Sequence, residues 1–143
     1  MYLKWILLKN NYLLEVKEQY EDYPYPERDP EAEKYRLLST QMDDLEKLNH
    51  YGFAGSQTFQ QAQLLVAGCG TGDAVIFLAE QLRETKSTVT ALDMSAASLA
   101  VAKQRAKIRW LENIIWIQSG SSLFHVGRSN PLCSLCPLWF IDL

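Results

Sequence analysis

QLLVAGCGTGDA, residues 63–74, is the stretch that decides the fold of this chain. An apolar run leads directly into three glycines at alternate positions, and further apolar residues follow from Ala74. This order predicts a buried strand, a tight turn and the start of a helix, the geometry in which a nucleotide-like cofactor lies against backbone. The glycines permit positive φ and carry no Cβ that would hold a ligand away.

The spacing of the glycines narrows the class of ligand. A dinucleotide fingerprint, G-x-G-x-x-G, would place its third glycine at position 73, where this chain has Asp73. The third glycine is Gly72 instead, so the loop reads GCGTG. A nicotinamide-dependent oxidoreductase is therefore a weaker alternative for this loop.

The loop and the segments after it resemble class I S-adenosylmethionine-dependent methyltransferases. Val89–Ser95 resembles the second strand of that family, which ends in an acid that holds the ribose hydroxyls, and Ala96–Ile108 resembles the helix that follows. Asn113–Gln118 is similar to the third strand. LNHYG at 48–52 and YPYP at 23–26 resemble a bacterial branch of these enzymes. The resemblance covers much of the chain.

The alternation of strand and helix from Gln63 onward predicts an α/β fold. We expect an incomplete doubly wound, Rossmann-like parallel sheet of three to four strands, with residues 138–143 as the short fourth strand. An N-terminal helical extension, or lid, is predicted over 1–60, and a partial class I cofactor-binding domain over 61–143. A complete domain of this class is longer, so the chain is expected to be an N-terminal fragment of a bacterial-type member.

The N-terminal extension is predicted to be helical. Residues 12–22 read as a short amphipathic helix that Pro24 and Pro26 end. Asp29, followed by proline and glutamate, has the pattern of a helix start. Apolar residues at helical spacing extend that second predicted helix to about His50.

The resemblance implies a set of cofactor contacts. The loop glycines would let backbone pass beside the methionyl and ribose portions, and the helix N-terminus would favour the carboxylate. Asp93 lies about twenty residues past the loop and would accept hydrogen bonds from the ribose hydroxyls, with helix capping as the alternative. Met94 would lie on the adenine face, or simply pack. The expected S-adenosylmethionine contacts are Gly68, Cys69, Gly70, Thr71, Gly72, Asp93, Met94, Gly120 and Ser121.

Two positions depart from the family pattern. Val66 stands two residues before the first loop glycine, where many members carry an acid that anchors the methionine end. After the third strand, members often place an acid for the adenine amino group, whereas this chain reads SGSS from Ser119. Other contacts must therefore hold both ends of the cofactor.

Several other side chains receive provisional roles. Asp73 is expected to cap the helix that it begins, with a position facing the cofactor as the alternative. The basic end of the next helix is expected to be solvated and to interact favourably with the helix dipole, with a binding patch as the alternative; its residues are Lys103, Arg105, Lys107 and Arg109. Five residues are expected to pack, with closure over the cofactor or lining of an acceptor pocket as the alternative: Tyr20, Tyr23, Tyr25, His50 and Tyr51.

Composition excludes several classes of function. The net charge is −3 and no dense basic run occurs, so there is no direct nucleic-acid signal. The apolar N-terminal run is interrupted by lysines, too short for a membrane span and without a signal-peptide cleavage site, which makes a cytoplasmic location the expectation. Cys133 and Cys136 form a single C-x-x-C, which is insufficient for zinc, and no metal is expected.

These observations predict the cofactor-binding half of a methyltransferase that transfers a methyl group from S-adenosylmethionine to an unidentified acceptor. A truncated, catalytically inactive S-adenosylmethionine-binding fragment is the alternative. No catalytic residue is assigned, because acceptor-side residues would lie largely beyond Leu143.

Overall fold

The computed structural model describes residues 14–119 and the strand Leu138–Ile141. Its centre is a four-stranded sheet with the order β3-β2-β1-β4. The strands are β1 (Gln63–Ala67), β2 (Thr88–Asp93), β3 (Ile114–Gln118) and β4 (Leu138–Ile141).

The first three strands are parallel, which confirms the predicted α/β sheet. β4 pairs with the other side of β1, at the predicted place, but it runs antiparallel, so the expectation of a wholly parallel sheet is wrong. β3 ends at the carboxyl edge of the sheet, and an antiparallel β4 begins at that same edge. A parallel β4 would require the chain to cross to the opposite edge first.

Strand β1 is buried because strands lie on both of its sides. Leu64, Leu65 and Val66 are each at most 3% exposed, which is the continuous apolar pattern of a central strand. The helix α3 (Asp73–Gln81) buries its apolar residues, among them Val75 and Leu78, in the same hydrophobic core. Removal of this shared apolar surface from water is the main stabilising contribution of the α/β unit.

The helix α4 (Ala96–Ile108) has the predicted bounds. Its N-cap is Ser95, whose hydroxyl accepts a hydrogen bond from the backbone N–H of Ser98 at 3.0 Å. The helix ends at Ile108 with Arg109 as its C-cap, and Trp110 follows with a φ of 55°.

The N-terminal extension differs from its prediction. Residues 14–22 are helical (α1), as expected. Asp29 accepts a hydrogen bond from the N–H of Glu31, but it starts only a 3₁₀ helix, Pro30–Lys34. A separate helix α2 (Leu45–Phe53) begins at its own cap, Asp44, so the expectation of one helix to about His50 is wrong. The 3₁₀ helix ends at Lys34, and Asp44, in the middle of the apolar period, starts α2 as its N-cap.

Candidate functional site

A cavity of about 470 Å³ lies at the carboxyl ends of β1 and β2. Residues of α1 and of the turn after it cover one side, and the glycine loop forms another. The described lining consists of Val16, Tyr20, Tyr25, Pro26, Ala67, Gly68, Cys69, Gly70, Leu92, Asp93, Met94, Ser98 and Ser119. The carboxyl edge of a parallel sheet is where open α/β folds bind ligands.

The glycine loop is attached to the end of β2 by its backbone. The N–H groups of Gly68 and Cys69 both donate to the carbonyl oxygen of Leu92, at 2.8 and 3.0 Å. A Cβ at Gly68 would meet no atom within 4 Å, so the loop presents open backbone at the cavity wall. This is the surface that a ligand can approach closely.

The other two loop glycines are required by their neighbours. A Cβ at Gly70 would collide with the carbonyl oxygen of Tyr25, and one at Gly72 would lie 2.8 Å from the Cβ of Ala102. Both residues also have positive φ, 53° and 96°, which side chains rarely adopt. These glycines therefore allow the N-terminal extension and α4 to pack against the loop.

The carboxylate of Asp93 lies at the cavity wall and binds two backbone donors. Its Oδ2 accepts from the N–H of Gly70 at 2.7 Å, and its Oδ1 accepts from the N–H of Ser95 at 2.9 Å. Each carboxylate oxygen has a second lone pair, so the group can accept further hydrogen bonds from a ligand. Ser95, whose N–H donates to Asp93, is itself the N-cap of α4.

A segment that we call the strap, residues 20–26, lies over the loop. It includes a cis peptide bond between Tyr25 and Pro26. The hydroxyl of Thr71 donates to the carbonyl oxygen of Pro26 at 2.6 Å, and the hydroxyl of Ser95 donates to that of Tyr20 at 2.9 Å. The strap is thus bonded to both loops that border the cavity.

Glu21 fixes the strap to the N-terminus of α4. Its carboxylate accepts from the N–H groups of Ala96 at 2.8 Å and Ala97 at 2.9 Å. These backbone hydrogen bonds, that from Ala96 first, hold the pKa of the Glu21 carboxyl below its ordinary value. A negative charge at a helix N-terminus is also favoured by the helix dipole.

A cluster of charged side chains lies behind the loop, and we call it the arginine cluster. It corrects two expectations. Asp73 does not cap α3, since the N-cap is Gly72 and makes no side-chain hydrogen bond; its carboxylate instead binds Arg28 and Arg105. Nor is the basic end of α4 wholly solvated, because Arg105 is only 1% exposed. The members are Arg28, Glu33, Asp73, Arg105 and Arg109.

Burial alone would raise the pKa of the Asp73 carboxyl, but hydrogen bonds from Arg28 and then Arg105 outweigh it and lower that pKa. The sequence offered no signal for this cluster, because Glu33 and Arg105 are separated by 72 positions. Nothing local in either segment specifies such a partner.

The remaining predicted residues fall into three groups. Met94 and Cys69 line the cavity, as do Tyr20 and Tyr25. Thr71 is fully buried behind the wall, and Tyr23 and Tyr51 are largely exposed, with His50 edge-on to Tyr51 at 4.8 Å between ring centroids. Gly120 and Ser121, like Cys133 and Cys136, lie outside the described residues.

Sequence reasoning missed several parts of the cavity wall. Val16 and Pro26 come from the N-terminal extension, and Ser98 comes from α4. Ser119 does line the cavity, and its N–H donates to the carbonyl oxygen of Asp93 at 2.9 Å. The apolar residues on α1 were a usable signal for contact with the α/β unit, but not for contact with this cavity.

The described ranges of the chain are 14–119 and 138–141. They contain no group of three or more His, Cys, Asp or Glu side chains arranged to hold a metal ion. In the same residues, no helix combines the length and apolar character needed to cross a membrane.

Comparison with known proteins gives one family. Residues 64–124 match the model of a family described as a methyltransferase domain. No curated protein matches the chain. The matched residues include the glycine loop, β2 with Asp93, α4 and β3.

Several solved structures are similar to the chain. A coclaurine N-methyltransferase bound to N-methylheliamine and SAH is 20% identical over 61% of this chain and 26% of its own, with a TM-score of 0.43. A SAM-dependent methyltransferase from Aquifex aeolicus is 20% identical over 66% of this chain and 48% of its own, with a TM-score of 0.40. YjhP from E. coli is 22% identical over 62% of this chain and 34% of its own, with a TM-score of 0.37. The chain thus spans less than half the length of each.

Proposed function

We propose that the α/β unit of this chain is a class I S-adenosylmethionine-dependent methyltransferase domain, and that the cavity binds S-adenosylmethionine for methyl transfer to an acceptor. The observation that carries the proposal is the juxtaposition of Gly68 and Asp93 at one cavity wall. Open backbone and a carboxylate with unused lone pairs there suit a ligand that has both a ribose and a zwitterionic tail.

The described residues suggest which part of the cofactor each would hold. Asp93 would accept the ribose hydroxyls through the lone pairs that Gly70 and Ser95 leave free. Met94 would lie beside the adenine, and Gly68 beside the methionyl portion. The roles of Thr71 and Gly72 in this scheme are indirect, through the shape of the loop. Gly120 and Ser121 stay predictions.

This chain must hold the methionyl tail of the cofactor differently from many members of the family, which carry an acid at the position of Val66. Val66 is 1% exposed in the core and offers no charge to it. The backbone of the loop and the strap residues Tyr20 and Tyr25 are among the polar groups of the described lining. We propose that these groups take over the anchoring of the tail.

Bound S-adenosylmethionine supplies an electrophilic methyl group, and the protein's contribution is alignment and exclusion of water. The strap covers one side of the cavity and is suited to the second task. The acceptor is unidentified, and no catalytic residue is assigned. The division of the chain at residue 60 and a cytoplasmic location also stay predictions.

Calorimetric titration of the chain with S-adenosylmethionine and, separately, with NAD tests the proposal. We expect saturable binding of the first and weaker or no binding of the second. Tighter binding of NAD would overturn the proposal and revive a nicotinamide-dependent function.

A methyl-transfer assay with labelled cofactor and cell extract separates the two forms of the proposal. Transfer of label by the chain supports an active enzyme. Binding of S-adenosylmethionine without transfer supports the alternative, an inactive cofactor-binding fragment.

A further inference from the structure

We propose that Arg105 is a positioning residue, which holds the glycine loop in its ligand-binding shape without touching the ligand. The inference rests on the proposed function, because it concerns the same cavity. Arg105 is not part of the described cavity lining, and its side chain is 1% exposed behind the loop. Its effect must therefore pass through the residues that it contacts.

One guanidinium contacts three separate segments. Its Nη1 donates to the carbonyl oxygen of Thr71 at 2.7 Å and to Oδ1 of Asp73 at 2.7 Å. Its Nε and Nη2 donate to Oε1 of Glu33 at 2.8 and 2.5 Å. The loop, the first turn of α3 and the N-terminal extension are thereby held relative to one planar group.

The Thr71 contact has the most direct consequence for the loop. Thr71 lies between Gly70 and Gly72, whose backbone has few conformational preferences of its own. The N–H of Gly70 is held from the cavity side by Asp93, and the carbonyl of Thr71 is held from behind by Arg105. The two contacts act on neighbouring residues and together define the path of the loop.

Arginine suits this position better than lysine would. The guanidinium is a rigid fork with five N–H donors, and here four hydrogen bonds radiate from it in fixed directions. A lysine could keep the charge opposite Glu33 and Asp73, but its single ammonium lacks the fork. Lysine should therefore preserve folding better than it preserves the loop.

Arg109 offers a matched control within the same cluster. Its side chain pairs with Glu33 and, at 3.6 Å, with Glu80, and neither of these described partners belongs to the loop. The variants R105M and R109M each remove one arginine from the cluster, whereas only R105M removes the hydrogen bond to Thr71. R105K is the conservative variant.

The test is calorimetric titration of the whole chain with S-adenosylhomocysteine, at a temperature where melting curves show each variant to be folded. Loss of stability alone leaves the Kd of folded molecules unchanged. We expect R105M to weaken binding by about tenfold or more, R105K to weaken it less, and R109M to bind as the parent chain does. A folded R105M with the parental Kd, or an equal loss in R109M, would overturn the inference.

A second measurement applies if R105M fails to fold. In nitrogen–proton correlation spectra without ligand, the amide signals of Gly70 and Gly72 should shift in R105K and stay in place in R109M. Unmoved glycine signals in R105K would overturn the inference. If the parent chain does not bind S-adenosylhomocysteine or S-adenosylmethionine at all, the proposed function itself fails, and that outcome is distinct from parental binding by the variants.

Discussion

The backbone N–H of Gly70 donates to Oδ2 of Asp93 across 2.7 Å, and this bond joins the glycine loop to the end of β2. The other carboxylate oxygen accepts from Ser95, at the start of α4. One side chain therefore sets the separation between the two loops that form the cavity wall.

The first prediction concerns the charge of Asp93. In D93N, one carboxylate oxygen becomes an NH₂ group, which cannot accept the hydrogen bond from the N–H of Gly70 or of Ser95. Two hydrogen-bond donors then face each other. We expect a loss of about 1–3 kcal/mol in the free energy of unfolding, because a partly buried N–H loses its acceptor. Binding of S-adenosylhomocysteine should weaken by at least about tenfold, in calorimetry.

D44A is the control for that prediction, since Asp44 caps α2 through its side chain and does not line the described cavity. It should lower stability without a change in Kd. Parental affinity in D93N would remove Asp93 from the binding scheme.

The second prediction concerns steric fit at Gly72. G72A places a methyl group 2.8 Å from the Cβ of Ala102, at a φ of 96°. Both the overlap and the backbone strain oppose folding, and we expect the free energy of unfolding, measured in urea, to fall by about 2–4 kcal/mol.

G52A is the matched control: Gly52 lies in α2 with no atom within 4 Å of its missing Cβ. Alanine there should stabilise by up to about 1 kcal/mol. Equal effects of the two changes would contradict the packing argument.

The third prediction concerns pH and the strap. The pKa of Glu21 is lowered in the folded chain by the N–H groups of Ala96 and Ala97. The contribution of Glu21 to stability should therefore be complete when the pH is above its ordinary pKa of 4.5. It should be lost as the pH falls through the lower pKa of the folded chain. Between pH 7 and pH 3, the difference in Tm between the parent chain and E21Q should shrink toward zero.

E18Q provides the comparison, because Glu18 is an exposed residue of the same helix. The difference in Tm between the parent chain and E18Q should stay small across that range. A parent–E21Q difference that is constant down to pH 3 would show that the Glu21 carboxylate is not bound to α4.

The fourth prediction concerns the thiol in the glycine loop. Burial, and secondarily the charge of Asp93, raises the pKa of Cys69 to about 12. At pH 8 the reactive thiolate is then scarce, and a disulfide reagent such as DTNB should label Cys69 slowly in the folded chain and rapidly in urea. The measurement uses the C133S/C136S variant, so that one thiol remains. Rapid labelling under native conditions would contradict the burial of Cys69.

Elements with a local signal were predicted correctly. The resemblance of Ala96–Ile108 to a helix of the family predicted the bounds of α4, and the structure has a capping residue, Ser95, directly before them. The second helix of the extension was predicted wrongly because an apolar period continued across Asp44, which starts a new helix. The direction of β4 was also missed, since four residues of strand pattern carry no information about polarity.

The sequence by itself determined the order of strands and helices, the glycine loop and the acid after β2, because each depends on residues that are close along the chain. Only the tertiary structure decided what surrounds the loop. Arg105 became the partner of both Asp73 and Glu33, and the strap came to lie over the cavity. A buried charge is stable only beside an opposite charge. Which residue supplies that charge depends on distance in the folded structure, not on distance along the chain.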